Sequence, residues 1–189
     1  MEKGKIFKFG FYYEEIEWLV LEKNENKILA VTKNCIDSMP INPKFGNISW
    51  EDSKIRKWLN GVFFDKVFTE KEKEMIVLSE IENPKNKIYG KTDGNKTKDR
   101  VFLLSIEEAE SFFSSDEERI ARATDFAVQN GTKTDSEGNC IWWLRTSGID
   151  SKRFAVVSNA GYIYEIGSYA DFDDRGIRPA MWIDLSLAE

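Results

Sequence analysis

Aromatic and acidic side chains are concentrated near the C-terminus, in the segment GYIYEIGSYADFDDRG at residues 161–176. Tyrosine offers a large contact area at low entropic cost, and the glycines and serine allow the backbone to adapt to a partner. The segment combines these aromatic and acidic residues: Tyr162, Tyr164, Glu165, Tyr169, Asp171, Phe172, Asp173 and Asp174. Only Arg175 opposes the carboxylates, so the composition predicts a binding surface for a partner with a basic patch. The alternative is an acidic surface loop whose tyrosines partly pack inward.

A second group of residues combines tryptophan and arginine, at Trp142, Trp143, Arg145, Arg178 and Trp182. An aromatic and cationic pocket is one interpretation. Alternation along a strand sends neighbouring side chains to opposite faces, which predicts that at most one of Trp142 and Trp143 joins Trp182 in the core. We expect Trp58 and Trp182 to be core residues. Both arginines also have a structural interpretation, in which they hold loops through hydrogen bonds to carboxylates or carbonyl oxygens.

The chain contains no histidine, so it lacks the commonest general base and the commonest metal ligand. The carboxylates of residues 161–176 could hold calcium or magnesium, but their spacing matches no EF-hand loop. Cys35 and Cys140 are too few and too far apart in sequence to indicate a zinc site or a disulfide framework, and we expect two buried thiols. The sequence therefore predicts no catalytic residue, no metal ligand and no cofactor.

The 189 residues are 41% hydrophobic and 32% charged, which predicts one folded domain over residues 1–189. No signal peptide and no apolar stretch of membrane-spanning length is evident, which indicates a cytoplasmic protein without a membrane partner. The formal net charge of -6 disfavours direct nucleic-acid binding, because phosphate contacts need a basic surface. The oligomeric state stays open.

The C-terminal residues must be positioned by helices and strands, several of which are predicted in the N-terminal part of the chain. Residues 15–22 and 27–32 are rich in β-forming residues and flank a polar turn, which predicts a hairpin. In SWEDSKIRKWLNG, the spacing of Ile55, Trp58, Leu59 and Val62 predicts an amphipathic helix that ends near residues 60 and 61.

Three capping boxes, each a Ser or Thr followed three residues later by Glu, predict helix starts at Thr69, Ser105 and Ser115. The third helix is expected to continue to residues 130 and 131. Residues 83–99 are rich in lysine and turn residues, with one aromatic side chain, Tyr89, and they predict an exposed insertion loop.

β patterning returns after Cys140 in four runs, CIWWLRTS, RFAVVS, YIYEIG and IRPAMWIDL. They predict a small antiparallel sheet in the final third of the chain. Strands at both ends with helices between them predict an α+β fold in which the N- and C-terminal strands pair in one sheet and short helices come from the middle of the chain.

Three C-terminal motifs, WWLRTSG, FAVVSNAGYIY and GIRPAMWIDL, together resemble the signature of a bacterial family, domain of unknown function 6273. Upstream, SKIRKWLNGVFFDKVFTEKEKEMI and DRVFLLSIEEAESFF are similar to the helical middle of that family. The family resembles C-type-lectin-like folds, including formylglycine-generating enzymes and the variable proteins of diversity-generating retroelements. The resemblance implies a lectin-like fold and a ligand face at residues 146–152 and 161–175, rather than an activity.

That ligand face adds Arg145, Ser147, Asp150 and Lys152 to the C-terminal candidates, which also include Arg175. The chain lacks the Glu-Pro-Asn and Trp-Asn-Asp motifs of calcium-dependent sugar-binding lectins, and Cys35 and Cys140 are not expected to form the cysteine pair of the oxidase branch. We therefore expect a non-catalytic domain that recognises a protein or another macromolecule. Two alternatives stay open: an acidic, phage- or mobile-element-encoded inhibitor of a nucleic-acid-binding host defence enzyme, resembling anti-CRISPR proteins, and a histidine-independent enzyme.

Overall fold

The structure is a computed structural model that describes residues 1–90 and 94–188, and its elements are numbered here in chain order. The strands are β1 (Ile6–Tyr12), β2 (Glu14–Asn24), β3 (Lys27–Thr32), β4 (Asp37–Ser38), β5 (Ser79–Ile81), β6 (Thr97–Asp99), β7 (Trp142–Ser147), β8 (Arg153–Val157), β9 (Ile163–Tyr169), β10 (Gly176–Ile177) and β11 (Ala180–Asp184). The α-helices are α1 (Lys54–Trp58), α2 (Phe64–Val67), α3 (Glu70–Met75), α4 (Ile106–Phe112), α5 (Asp116–Arg119) and α6 (Asp125–Gln129). Within the described ranges, no helix is long and apolar enough to cross a membrane.

The first sheet joins the two ends of the chain, in the order β1-β2-β3-β11 with all neighbours antiparallel. β2 and β3 form the predicted hairpin. β11 pairs with β3 in continuous register, from Ala180 opposite Val31 to Asp184 opposite Lys27. The prediction that the N- and C-terminal strands share a sheet is confirmed, and the fold is α+β.

The second sheet has the order β4-β10-β7-β8-β9. β7, β8 and β9 form an antiparallel meander, as the C-terminal patterning predicts. The small antiparallel sheet expected for all four C-terminal runs differs from the structure in two respects. β10 pairs in parallel with β7, and β11 leaves to join the first sheet because β3 offers it an unpaired edge.

Helix α1 does not end where the sequence predicts. A π-helical turn (Leu59–Phe63) follows it and leads directly into α2. The wider turn shifts the apolar face, so that Phe63 and Phe64 are buried while Val62 is 53% exposed. The Asn60 side chain, expected near a helix end, instead accepts hydrogen bonds from the backbone amides of Arg100 and Val101.

Two of the three predicted capping boxes are confirmed, at Thr69 and Ser105. The predicted helix start at Ser115 is confirmed, since α5 begins at Asp116, but the third capping box does not form. Ser115 makes no cap hydrogen bond, and Glu118 accepts from the amide of Ser114 instead. The single helix expected after Ser115 is also wrong. Residues 120–124 are extended and hydrogen-bond to neighbouring chain segments, so α5 stops and α6 begins afresh after Thr124.

The lysine-rich region is only partly the exposed loop that the sequence predicts. Its last residues form β6, which pairs in a hairpin with β5, just before the region. Lys91, Thr92 and Asp93 lie outside the described residues. Asp99 is fully buried, where it accepts hydrogen bonds from Arg56 Nε at 2.7 Å and Trp50 Nε1 at 3.1 Å. Part of this region therefore belongs to the core, where the Asp99 carboxylate forms an ion pair with Arg56 of α1.

Both Trp142 and Trp143 are completely buried, so the expectation that only one of them joins the core is wrong. They point to opposite faces, but β7 is the middle strand of the second sheet and both of its faces are covered. Trp142 Nε1 donates to the carbonyl oxygen of Arg119 and Trp143 Nε1 to that of Met39, each at 3.1 Å. Trp58 and Trp182, expected in the core, are only partly buried and pack against its margin.

We predict that Trp143→Ala lowers the free energy of unfolding by about 3–5 kcal/mol, since it removes a fully buried ring from the centre of the second sheet. Trp182→Ala should cost about 1–2 kcal/mol, because its ring is partly solvated in the folded protein. Urea denaturation followed by circular dichroism measures both values. Equal losses for the two variants would contradict this arrangement of the core.

Candidate functional site

Three large apolar side chains are exposed along β9 and the residue before it. Tyr162 is 56% exposed, Tyr164 54% and Ile166 51%, and we call these three residues the β9 row. β9 is an edge strand of the second sheet. The two tyrosines were predicted as binding residues, whereas Ile166 was not, since an isoleucine in a strand reads as core.

A bulge in β9 brings the row into position. The pairing with β8 shifts register between Val156, opposite Tyr164, and Phe154, opposite Ser168. Gly167 lies in this bulge with a φ of 80°, and a Cβ there would be 2.4 Å from the carbonyl oxygen of Phe154. Only glycine fits both the left-handed backbone and the close approach.

Three further aromatic rings contact one another at the C-terminal end of β9. Tyr169 lies 5.6 Å from Phe45 and 5.9 Å from Phe172 between ring centroids, and we call these residues the ring cluster. Phe45 is 62% exposed and Phe172 41%. Phe45 is distant in sequence from β9 and was not predicted as a binding residue. Its position between Pro43 and Gly46, both typical of loops, is a signal that its ring lies on an exposed loop.

A cation lies over each ring of the ring cluster. Lys152 Nζ is 5.0 Å from the Phe45 centroid, and the guanidinium carbons of Arg153 and Arg175 lie 4.0 Å and 5.2 Å from the centroids of Tyr169 and Phe172. Such contacts are favourable because the ring face is electron-rich. Arg153 also pairs with the Asp150 carboxylate and donates to the Tyr169 hydroxyl. Asp150 and Lys152 therefore help to hold the rings in place.

The predicted acidic residues of the loop at 170–175 differ in their pairing. Asp174 accepts from Lys133 at 2.8 Å and from Arg175 at 2.5 Å. Partial burial favours the protonated acid, but the two cations outweigh this effect and lower the pKa of Asp174. Asp171 and Asp173 make no ion pair within 4.0 Å among the described residues. The negative charge that this loop presents to solvent is thus mainly that of Asp171 and Asp173.

Two predicted binding residues, Arg145 and Ser147, lie inside the protein, with exposures of 1% and 0%. The Arg145 guanidinium makes a two-pronged ion pair with Glu108 and donates to the carbonyl oxygens of Leu103, at 2.6 Å, and Glu82, at 2.8 Å. A ligand on the surface does not meet these side chains. Arg145 instead connects β7 to the start of α4, which matches its structural interpretation.

The loop between β5 and β6 is attached to the candidate surface. Asn86 is buried, and its side-chain amide donates at 2.9 Å to the carbonyl oxygens of both Ser147 and Glu165. Glu165, which was predicted as a binding residue, therefore holds this loop through its backbone carbonyl oxygen. The connection was not predicted, because one asparagine among several polar loop residues carries no distinguishing signal.

A polar cleft of 330 Å³ lies away from these loops, between β1, β2 and the residues after β3. It contains Tyr12, whose hydroxyl donates to Asp37 Oδ2 at 2.5 Å. Burial and the Asp37 carboxylate both raise the pKa of Tyr12. The phenol thus stays protonated at neutral pH, which makes it a hydrogen-bond donor rather than a general base.

The two cysteines, which are far apart in sequence, lie beside the same residue of β10. Cys35 and Cys140 are fully buried, and the Cys140 thiol donates a hydrogen bond to the carbonyl oxygen of Ala121 at 3.5 Å. Cys35 follows β3 and Cys140 precedes β7, and both side chains lie against Gly176 of β10. The expectation of two buried thiols is confirmed. That both lie beside β10 was not predicted, because it depends on how β10 brings the two segments together.

We predict that Glu108→Ala lowers the free energy of unfolding by about 3–5 kcal/mol, because it leaves the buried Arg145 guanidinium without its carboxylate. Glu110→Ala is the matched control on the same helix. Its carboxylate is exposed and lies 3.8 Å from Lys87, so its loss should change the free energy of unfolding by less than about 0.5 kcal/mol. Guanidinium denaturation measures both variants, and equal values would contradict the anchoring role of Arg145.

Comparison with known proteins gives one finding. A family model described as "Domain of unknown function (DUF6273)" matches residues 19–185, which is nearly the whole chain. Searches of curated proteins and of solved structures return no significant match. The match begins within β2 and ends just after β11, so it includes the whole second sheet and all of the first sheet except β1 and the start of β2, and the chain belongs to the DUF6273 family.

Proposed function

We propose that this chain is a non-catalytic binding domain that recognises a protein partner through the β9 row and the ring cluster. The observation that carries the proposal is the β9 row, in which three neighbouring large apolar side chains are each more than half exposed. Single exposed apolar residues are ordinary on a protein surface, whereas a contiguous group is typical of an interaction site.

The size of the surface supports a macromolecular ligand. β9 has seven residues and is about 23 Å long at roughly 3.3 Å per residue. A standard protein interface of about 800 Å² per partner has a similar width. The polar cleft beside Tyr12 is the main concave alternative, and it lies elsewhere.

The ring cluster supports the proposal because it is exposed yet held in place. Each ring has a cation on its face, and Arg153 ties Tyr169 to Asp150. Side chains that are already ordered lose little entropy when a partner binds, which favours their use as anchors.

The charge of the loop at 170–175 supports a partner with a basic patch. Asp171 and Asp173 are the carboxylates of this loop without an ion pair within the described residues. Charges at the rim of an interface accelerate association with a complementary surface. The basic patch of the partner therefore faces Asp171 and Asp173 in this proposal.

We also propose that the fold is C-type-lectin-like. Two features support it, the pairing of the terminal strands in the first sheet and the presence of irregular loops beside the last strands of the second sheet. Loops in such positions vary without disturbing the sheets, which suits a recognition surface.

We predict that the triple variant Tyr162→Ser, Tyr164→Ser, Ile166→Ser folds like the parent chain but weakens partner binding about 100-fold or more, since exposed aromatic anchors dominate many interfaces. The partner is first captured from a lysate of the source organism and identified by mass spectrometry. Surface plasmon resonance with the purified partner then measures the equilibrium constant.

Phe11→Ser is the matched control, because Phe11 is 60% exposed but lies on β1 of the other sheet. It should leave the affinity unchanged. Equal affinity of the parent and the folded triple variant would place the contact surface elsewhere and refute the proposal.

A separate prediction concerns the kinetics of binding. Asp171→Asn with Asp173→Asn should slow association and flatten its salt dependence, with little effect on dissociation. Phe172→Ala should instead accelerate dissociation if the ring cluster contributes an anchor. Association and dissociation rates measured between 50 and 500 mM salt separate these effects, and an unchanged salt dependence in the aspartate variant would rule out the basic patch.

A further inference from the structure

The strongest unassigned feature is the buried pair of thiols, Cys35 and Cys140. Both sulfur atoms lie beside Gly176, where a Cβ would be 2.7 Å from Cys35 Sγ and 3.1 Å from Cys140 Sγ. Gly176 has no side chain to separate them, and its amide is fixed by a 2.8 Å hydrogen bond to the carbonyl oxygen of Ile141. The backbone at Gly176 therefore leaves the space beside it open to both sulfur atoms.

A buried cation follows Gly176 by two residues in the chain. Arg178 is 2% exposed and donates to the carbonyl oxygens of Thr32, at 2.8 Å, and Arg119, at 3.2 Å. Among the described residues no carboxylate lies within 4.0 Å of it, and its guanidinium packs on the rings of Phe113 and Trp142. A buried charge without a counter-ion is costly.

Electrostatics couples the thiols to this arginine. Burial lowers the pKa of Arg178 to about 10, so it is charged at neutral pH, and the charges of Cys35 and Cys140 act in the opposite direction. Burial and the neighbouring Cys140 raise the pKa of the Cys35 thiol well above its usual range, and Arg178 offsets only part of that rise. The positive charge of Arg178 thus favours the Cys35 thiolate, but by less than burial disfavours it.

We propose that Cys35 and Cys140 form a reversible intramolecular disulfide. The oxidant is a small disulfide such as oxidised glutathione. One cysteine loses its proton and attacks that disulfide, which forms a mixed disulfide and releases one glutathione thiol. The second cysteine loses its proton and attacks the mixed disulfide, which forms the Cys35–Cys140 bond and releases the second glutathione thiol. Two protein thiols are oxidised and one glutathione disulfide is reduced.

The test equilibrates the full chain in glutathione buffers of graded ratio and approaches equilibrium from both directions. One sample starts reduced and folded, and the other is refolded from urea in oxidised glutathione, so that slow access to buried thiols does not decide the result. Samples are quenched with acid, denatured and alkylated. The expected product takes up no alkylating reagent, is about 2 Da lighter than the dithiol and yields one linked peptide pair containing both cysteines.

The oxidised chain should also melt at a temperature about 10 °C higher than the reduced chain, because the cross-link closes a long loop in the unfolded state. Cys35→Ser and Cys140→Ser, each in its own chain, should lose this difference. Each single variant should retain the far-ultraviolet circular dichroism spectrum of the parent, since serine is similar in size to cysteine.

Gly176→Ala probes the geometry, because its Cβ would press on both sulfur atoms. It should shift the thiol–disulfide equilibrium about tenfold toward the dithiol. Gly46→Ala is the control, as a Cβ at Gly46 meets no atom within 4 Å. A folded parent chain that keeps both thiols alkylatable from both starting states would overturn the proposal, as would an end product made of glutathione adducts or linked dimers.

Discussion

The pairing of β11 with β3 is the constraint on which the rest of the C-terminal structure depends. Thr32 donates its amide to the carbonyl oxygen of Pro179, and its own carbonyl oxygen accepts from Arg178. Residues 178 and 179 are therefore fixed before β11 begins. Since β9 ends at Tyr169, the short connection at 170–177 must return to this point, and it does so by placing β10 between β4 and β7. The loop at 170–175 is closed at both ends, which explains how an irregular segment presents ordered side chains.

Local patterns in the sequence were sufficient for much of the fold. The hairpin of β2 and β3, two capping boxes and the meander of β7, β8 and β9 follow from alternation and cap chemistry, which depend on neighbouring residues only. The same reasoning fails for Trp142 and Trp143, because alternation assigns faces without saying which faces are covered. It also fails at residues 59–63, which form a π-helical turn. This turn rotates the apolar face relative to the 3.6-residue repeat of an α-helix, so a pattern read with that repeat assigns the wrong residues to the core.

The candidate site was predictable only in the part that is continuous in sequence. Tyr162, Tyr164, Tyr169 and Phe172 lie within one short segment, so composition alone singled them out. Phe45 and Asn86 reach the same region from distant loops, and the contacts that bring them there depend on the tertiary fold. For Arg145 the error was the reverse, since a residue of the interior was assigned to the binding surface. Its position in a conspicuous motif suggested a ligand contact, whereas its ion pair with Glu108 is internal.

The proposed disulfide and the proposed binding surface share β10. Gly176 contacts both sulfur atoms and directly follows Arg175, whose guanidinium lies over Phe172 and pairs with Asp174. Closing a sulfur–sulfur bond of about 2 Å draws the Cys35 and Cys140 segments together, and β10 lies between them. We expect a displacement of β10 to reach the ring cluster through Arg175, which directly precedes Gly176. If oxidation changes the affinity for the partner, the partner must change the thiol–disulfide equilibrium by the same factor, since the two effects are one coupling free energy.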